Sequence, residues 1–310
     1  MPGMNLGAAA GTGLGEAEAL WEVETMKILV TGATGQLGSL VLENLLQSVP
    51  PEHLAVSVRD PRKAEPLRRR GVDVRQGDFD RPETLEEAFA GAQRMLLIST
   101  VGDEETRTRQ HLAAVAAAQR AGVQFIAYTS LAKADQSPLS LARTHRATEE
   151  AIRQSGIPYC FLRNNWYLEN ELGTMEAVRG GAPWVTAAGS GRVGWAPRRE
   201  YAEAAAAVLT GEGHENTIYE LSGQPITYDD LAAAVAHVLG REVPVHHVDE
   251  GTFAHTLKEA GVPEAMIPAL VEIQQAIRQG ALDVESDDFQ KLLGRPPSPV
   301  PEALRAMLAR

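Results

Sequence analysis

The chain has a single cysteine, Cys160, in 310 residues. No disulfide can form within it, and the expected location is a reducing one, the cytoplasm. Positive charge is also scarce. The 29 lysines and arginines against 41 aspartates and glutamates leave a formal charge of -12, so no surplus of cations is available to follow a phosphate backbone. Direct nucleic-acid binding is therefore not expected. No apolar run approaches the length of a membrane span, and no membrane association is expected. A basic leader is missing too. Residues 1–25 hold no cationic segment, and alanine is the commonest of their apolar residues, which makes a poor secretion signal. The run Gly11-Thr12-Gly13-Leu14-Gly15 lacks a preceding strand pattern, so residues 1–25 are expected to be a flexible, dispensable extension, with Met26 opening the first strand.

What is present is an alternation of short apolar runs with amphipathic helices. Strands are predicted at 26–31, 54–59, 72–76, 94–99, 123–129, 157–162 and 217–222, most of them unbroken runs, as parallel strands covered on both faces require. Leu37, Leu40, Val41 and Leu45 define one buried helical stripe. In 104–121 the stripe begins with Leu112, Val115 and Ala116 and meets polar Gln119 at the next turn; alanine still favours helix there, with Gly122 ending it. This rhythm predicts an α/β fold, a doubly wound parallel sheet of the Rossmann type. Residues 164–199 read as a loop or lid, 200–210 as a helix, and 223–310 as mostly helical (227–239, 250–260, 263–279 and 301–309) with a short strand near 243–248. The expected division is residues 26–163 with 200–222 as the dinucleotide-binding body, and 164–199 with 223–310 as a smaller substrate-side lobe.

The stretch from Ile28 to Val41, ILVTGATGQLGSLV, runs a strand into three glycines and then a helix. A helix N-terminus offers unpaired N–H groups and a partial positive charge to a pyrophosphate. Gly32 suits the tight turn, Gly35 the close approach of backbone to phosphate, and Gly38 the packing of helix on strand. At the end of the second strand Asp60 precedes Pro61, which suits an N-cap. That leaves Arg59 for the 2′-phosphate that distinguishes NADP from NAD; its alternative is a solvated surface cation. Asp80 and Glu83 have capping-box spacing. Asp78 and Phe79 then remain to meet the adenine, with plain core packing as the alternative for Phe79. Ser99 and Thr100 fall where the chain crosses the middle of the cofactor.

The Tyr-x-x-x-Lys couple common in this architecture is absent. On the helix after the fifth strand, His145 is the candidate for proton transfer near neutrality, against a solvated His145–Glu149 pair. Thr129 and Ser130 are candidate donors to a substrate oxygen or simply turn residues. Cys160 reads as a core thiol. His246 and His247 point to opposite faces of a strand and have no third ligand at suitable spacing, so no metal is expected. Glu104-Glu105 and Asp287-Asp288 read as solvated helix starts.

The segments TGATGQLG, VRDPRKA, QGDFDRPETL, FIAYTSLAKAD, HRATEEAI, LRNNWYLEN and DDFQKLLGRPP resemble, in this order, the NmrA-like family of atypical short-chain dehydrogenase/reductases, and within it the members that reduce quinones and triphenylmethane dyes. The likeness spans Met26 to nearly the C-terminus. It implies an NADPH-binding Rossmann domain with a small lobe over the nicotinamide. Carried over by position, Gly32, Ala33, Thr34, Gly35, Gln36, Leu37, Arg59 and Arg163 to Leu168 bind NADP(H). Of these, Asn164, Asn165, Trp166 and Tyr167 lie nearest the nicotinamide, with Asn165 and Tyr167 as catalytic candidates beside His145. Ser130, Trp166 and Tyr167 are the substrate candidates, the two rings forming a stacking wall unless they are plain packing. Glu150 stands where the family pattern leads one to expect lysine. The implied activity is hydride transfer to quinones or related conjugated acceptors, by a monomer or homodimer with no flavin and no metal. The alternative is an NADP(H)-sensing regulator without turnover. A hydroquinone anion is weakly basic, so the missing tyrosine–lysine couple is compatible with quinone reduction.

Overall fold

The structure, a computed structural model, describes residues 26–308, so the expectations placed on residues 1–25 lie outside the described residues. Seven strands form one parallel sheet: β1 (Ile28–Thr31), β2 (Leu54–Val58), β3 (Asp73–Gln76), β4 (Arg94–Leu97), β5 (Phe125–Leu131), β6 (Tyr159–Asn164) and β10 (Thr217–Leu221). Their order is β10-β6-β5-β4-β1-β2-β3. The order reverses between β1 and β4, and the crevice beyond the carboxyl ends of these strands is where such sheets bind ligands.

Both faces of the sheet are covered, which explains the unbroken apolar runs. Ile28 and Val30 face one core together with Val41, Leu45, Tyr201 and Leu209. Leu29 faces the other, with Phe89, Val115, Ile126 and Phe161. Helices α1 (Gln36–Leu45), α2 (Glu65–Arg69) and α7 (Arg198–Thr210) cover the first face; α3 (Leu85–Phe89), α4 (Glu104–Arg120) and α5 (Leu141–Ser155) cover the second. Cys160 is fully buried in the first core, and burial raises its thiol pKa, as befits a packing residue.

Four local readings are corrected. Leu112 does not join a buried stripe: it is 42% exposed, while Arg107, Gln110 and His111 of the same helix are buried. The core side of α4 is built of Ala114, Ala117 and Ala118, whose small size lets the helix approach its neighbours closely, and Arg107 and Gln110 face the carboxyl-end crevice. Residues 164–199 are not one loop. They contain β7 (Trp166–Tyr167), α6 (Leu172–Arg179), β8 (Trp184–Thr186) and β9 (Trp195–Ala196), and β7 pairs with β9. Third, α11 (Asp288–Leu293) sends Phe289 into the first core, and Asp288 accepts from the Glu220 backbone N–H at 2.8 Å, so it is not a solvated helix start. Lastly, Asp80 is not the cap of a box with Glu83; Arg81 holds the N-cap position there, without a side-chain bond.

The lobe has its own core of Leu168, Met175, Trp184, Trp195, Tyr228, Leu231, Ile277 and Leu304. It is completed by α8 (Tyr228–Leu239), β11 (Val245–His247), α9 (Glu250–Glu259), α10 (Ile267–Arg278) and α12 (Val300–Leu308). In β11, exposed His247 pairs with Asp229 at 3.0 Å.

Candidate dinucleotide and acceptor cleft

Thr31 ends β1 by donating its hydroxyl to Leu96 O at 3.1 Å and accepting from Ile98 N–H at 3.0 Å, which ties the first turn to the end of β4. Gly32 then takes φ +62°, and Gly35 N–H closes the turn on Gly32 O at 2.9 Å. Helix α1 follows with Gly35 at its N-cap and no side-chain cap, so its first amides are free for an anion. A Cβ on Gly38 would lie 2.8 Å from Gly32 C and 2.9 Å from Ala33 Cα, so only glycine fits where the helix crosses the turn.

From this turn a cleft of about 990 Å³ runs along the carboxyl ends of the strands, lined by Gly32, Thr34, Gly35, Gln36 and Leu37. At one end stand Arg59, Asp78 and Phe79. Asp60 caps the following turn, accepting from Arg62 N–H at 3.1 Å, and pairs with the Arg62 guanidinium. Arg59 is exposed and, among the described residues, has no carboxylate within ion-pair distance. Asp78 accepts from Asp80 N–H at 3.0 Å, while the Asp80 side chain receives Arg109 and Gln110 at 2.9 Å each, which ties this end of the cleft to α4.

In the middle, Ser99 N–H donates to Thr129 Oγ1 at 2.9 Å and Thr100 N–H to His111 Nε2 at 2.9 Å. The other end holds Ser130, Asn164, Asn165, Trp166, Tyr167 and, unforeseen, Arg107, Asn170 and Arg198. Asn164 Nδ2 donates to Tyr167 Oη at 3.0 Å, Tyr201 meets the Tyr167 ring edge-on at 4.9 Å, and Arg198 lies 4.8 Å over the ring. The ring is thus fixed as a wall of the cleft.

His145 is buried, with Nδ1 2.8 Å from Tyr128 Oη and Nε2 3.4 Å from Arg107 Nη2. A guanidinium has no acceptor, so Nε2 carries the lone pair and Nδ1 the proton. Burial, with Arg107 beside it, pushes the imidazole down to about 3, and His111 likewise to about 3. His145 therefore stays neutral and is no acid near neutrality, a correction that comes from desolvation. The alternative, a solvated His145–Glu149 pair, is absent as well. Glu149, buried, holds Arg163 at 2.9 Å and accepts the Ser130 hydroxyl at 2.7 Å. Arg163 also meets Asp135 at 2.8 Å and Glu220 at 3.1 Å. Neither its side chain nor those of Ala33 and Leu168 line the cleft, so contacts of these three with a dinucleotide are left to the backbone.

Among the described residues, four buried polar atoms on the cleft lack a partner: Ser57 Oγ, Gln110 Oε1, Asn164 Oδ1 and Asn165 Oδ1. Buried polar atoms are rarely left so, and these four are spread from the Arg59 end to the Trp166 end, as a long polar ligand such as a dinucleotide requires.

The model of the family described as NmrA-like matches residues 24–292. Quinone oxidoreductase 2 of Escherichia coli (strain K12) is 40% identical over 278 residues, covering 89% of this chain and 97% of the relative. The chain belongs to the NmrA-like family. Another relative, the NAD(P)H azoreductase of Xenophilus azovorans, is 31% identical over 91% of this chain and 98% of its own length. Among solved structures, the Citrobacter sp. triphenylmethane reductase complexed with NADP(H) superposes with a TM-score of 0.87 at 43% identity, covering 91% of this chain and 99% of that one.

In this NmrA-like chain the residues not foreseen had a visible signal. Arg107, Gln110 and His111 stand at i, i+3 and i+4 on an alanine-rich helix, a polar stripe of which Arg107 and Gln110 line a ligand cleft where solvent would be the ordinary assumption.

Beneath the cleft wall, Glu171 receives Trp195 Nε1 and Tyr228 Oη at 3.3 Å each. Burial nevertheless raises its carboxyl from 4.5 to about 7. The stability it contributes is fully present below about 4.5 and is lost as pH rises to about 7. At about 1.4 kcal/mol per unit the loss is roughly 3 kcal/mol. Glu171→Gln keeps an accepting oxygen and removes the charge, so it should stabilise the protein at about pH 8 and change little at about pH 5. Urea unfolding at both pH values checks this; equal effects of the substitution at the two would contradict it.

Proposed function

We propose that the chain is an NADPH-dependent oxidoreductase that passes a hydride to quinones or related conjugated acceptors. The observation that carries the reading is one continuous cleft, with the Gly38 turn and unpaired Arg59 at one end and the Trp166–Tyr167 wall at the other. The names of the E. coli and Citrobacter relatives point the same way. The bound nicotinamide supplies the hydride. The free amides at the start of α1 hold the pyrophosphate, and Arg59 holds the 2′-phosphate. Asp78, Phe79, Ser57 and Gln110 meet the adenosine; Ser99 and Thr100 flank the middle. Asn164 and Asn165 present unpaired oxygens to the nicotinamide end, and Trp166 and Tyr167 stack on a flat acceptor while excluding water. His145 and Ser130, committed to Tyr128 and Glu149, position this end and donate no proton at neutral pH. Solvent supplies the proton. The reading needs no flavin or metal, and it places a small-molecule reductase in the cytoplasm as a monomer or homodimer.

The acceptor half is tested by following NADPH oxidation with benzoquinones, naphthoquinones and dyes. Acceleration by at least one class supports it; tight NADPH binding with no accelerating acceptor would leave the sensing role. The cofactor half is tested at Arg59. A charge-assisted bond to phosphate is worth about 1.5–3 kcal/mol. At about 1.4 kcal/mol per decade, Arg59→Ala should weaken NADPH binding roughly ten- to a hundredfold and NADH binding much less. Equal losses for the two cofactors would remove Arg59 from the 2′-phosphate.

A further inference from the structure

Arg107 is 5% exposed, yet among the described residues no carboxylate lies within ion-pair distance of it. Its Nε donates to Thr100 O at 2.7 Å and its Nη2 approaches His145 Nε2 at 3.4 Å. Among the described residues Nη1 makes no hydrogen bond, and it is not sealed off from the cleft that Arg107 lines. The groups around it cannot neutralise it. His111 and His145 are held neutral, burial pushes Tyr128 far up, and exposed Glu104 is paired with Arg143 at 3.1 Å. A buried cation without a counter-ion is costly unless an anion arrives to meet it.

Its position says which anion. Arg107 reaches Thr100 at the middle of the cleft and His145, whose helix also carries Glu149, the partner of Ser130 at the acceptor end, whereas Gln110, one turn on, reaches Asp80 at the Arg59 end. Resting on the reductase reading, we propose that Arg107 is the oxyanion-stabilising residue of the acceptor pocket. Net hydride transfer to a quinone oxidises NADPH to NADP+ and leaves a hydroquinone monoanion, which takes one proton from solvent to become the hydroquinone. With no neutral-pH acid in reach, the charge that develops on the acceptor oxygen meets the fixed guanidinium. Such a preorganised donor acts most strongly where water is excluded.

The test uses the full chain and three variants: Arg107→Met, Arg107→Lys and, as control, Arg120→Met, an exposed residue at the far end of α4 paired with Glu86. Removing an oxyanion donor of this kind lowers kcat about a hundredfold or more. Arg107→Met should do so with 1,4-benzoquinone while the Kd for NADPH, read by its fluorescence, stays within about threefold of wild type. Arg107→Lys should recover part of the loss and Arg120→Met should show none. The second readout needs no turnover. With NADP+ bound, wild type should bind 4-nitrophenolate about ten- to a hundredfold more tightly than 4-nitrophenol, seen as a lowered apparent pKa of the bound dye in its absorption spectrum. Arg107→Met should erase that preference. A loss confined to NADPH affinity would assign Arg107 to the cofactor, and an unchanged dye pKa in wild type would overturn the proposal. If no acceptor is reduced, the reductase reading fails on its own, while the dye titration still reports whether Arg107 is an oxyanion site.

Discussion

Gly38→Ala is expected to weaken NADPH binding by at least about a hundredfold, roughly 3 kcal/mol or more. The added methyl would meet Gly32 O, Gly32 C at 2.8 Å and Ala33 Cα at 2.9 Å. All three are backbone atoms of the turn, so no side chain can swing aside. Relief requires α1 to move away from β1, which carries its free amides off the pyrophosphate and strains the core by about 1–3 kcal/mol. Gly173 in α6 serves as the comparison, because a Cβ there meets nothing within 4 Å. Gly173→Ala should leave binding unchanged. Titration of NADPH fluorescence against both variants reads the difference; a Gly38→Ala protein that binds like wild type would show that the turn does not hold the phosphates.

Arg163→Met is expected to lower stability by about 3–5 kcal/mol, the range for breaking a buried pair by removing one partner. Glu149, 2% exposed, would keep only Ser130 and the partly exposed Arg153, and Glu220 would lose its cation. Replacing both Arg163 and Glu149 by methionine should recover most of the loss, because only the partly exposed Glu220 is then left without its cation. Urea unfolding of the single and double variants measures this. In the folded fraction of Arg163→Met the Kd for NADPH should change little. A stable Arg163→Met protein with greatly weakened NADPH binding would return Arg163 to the direct cofactor role expected from the family resemblance.

These two residues mark what could be read in the sequence and what could not. The Gly38 turn was legible because its causes are local: an apolar strand, three glycines and an amphipathic helix follow one another within 14 residues. Asp60 before Pro61 was legible for the same reason, and it caps its turn as its spacing requires. Glu149 was misread because its buried partner is not His145 on the same helix but Arg163 on β6, placed by the sheet. Asp80 has the spacing of a capping box, yet Arg109 and Gln110, nearly thirty residues on, claim its carboxylate. Arg107 was missed because hydropathy assigns charged residues to solvent, whereas here a ligand cleft takes the place of solvent. The lobe was the least legible part. Its two-residue strands carry no period of their own, and they exist because Trp166 and Trp195 pair across a gap of nearly thirty residues.

The central claim is that a nicotinamide held in a fixed orientation passes hydride directly to an acceptor at the Trp166–Tyr167 end of the cleft. It is tested most directly by single-turnover oxidation of NADPH by 1,4-benzoquinone in flavin-free protein, with deuterium placed on one or the other face of nicotinamide C4. The account predicts a single phase, slowed by deuterium on one face and not on the other. Oxidation that requires added flavin, or that is slowed equally by deuterium on either face, would contradict it.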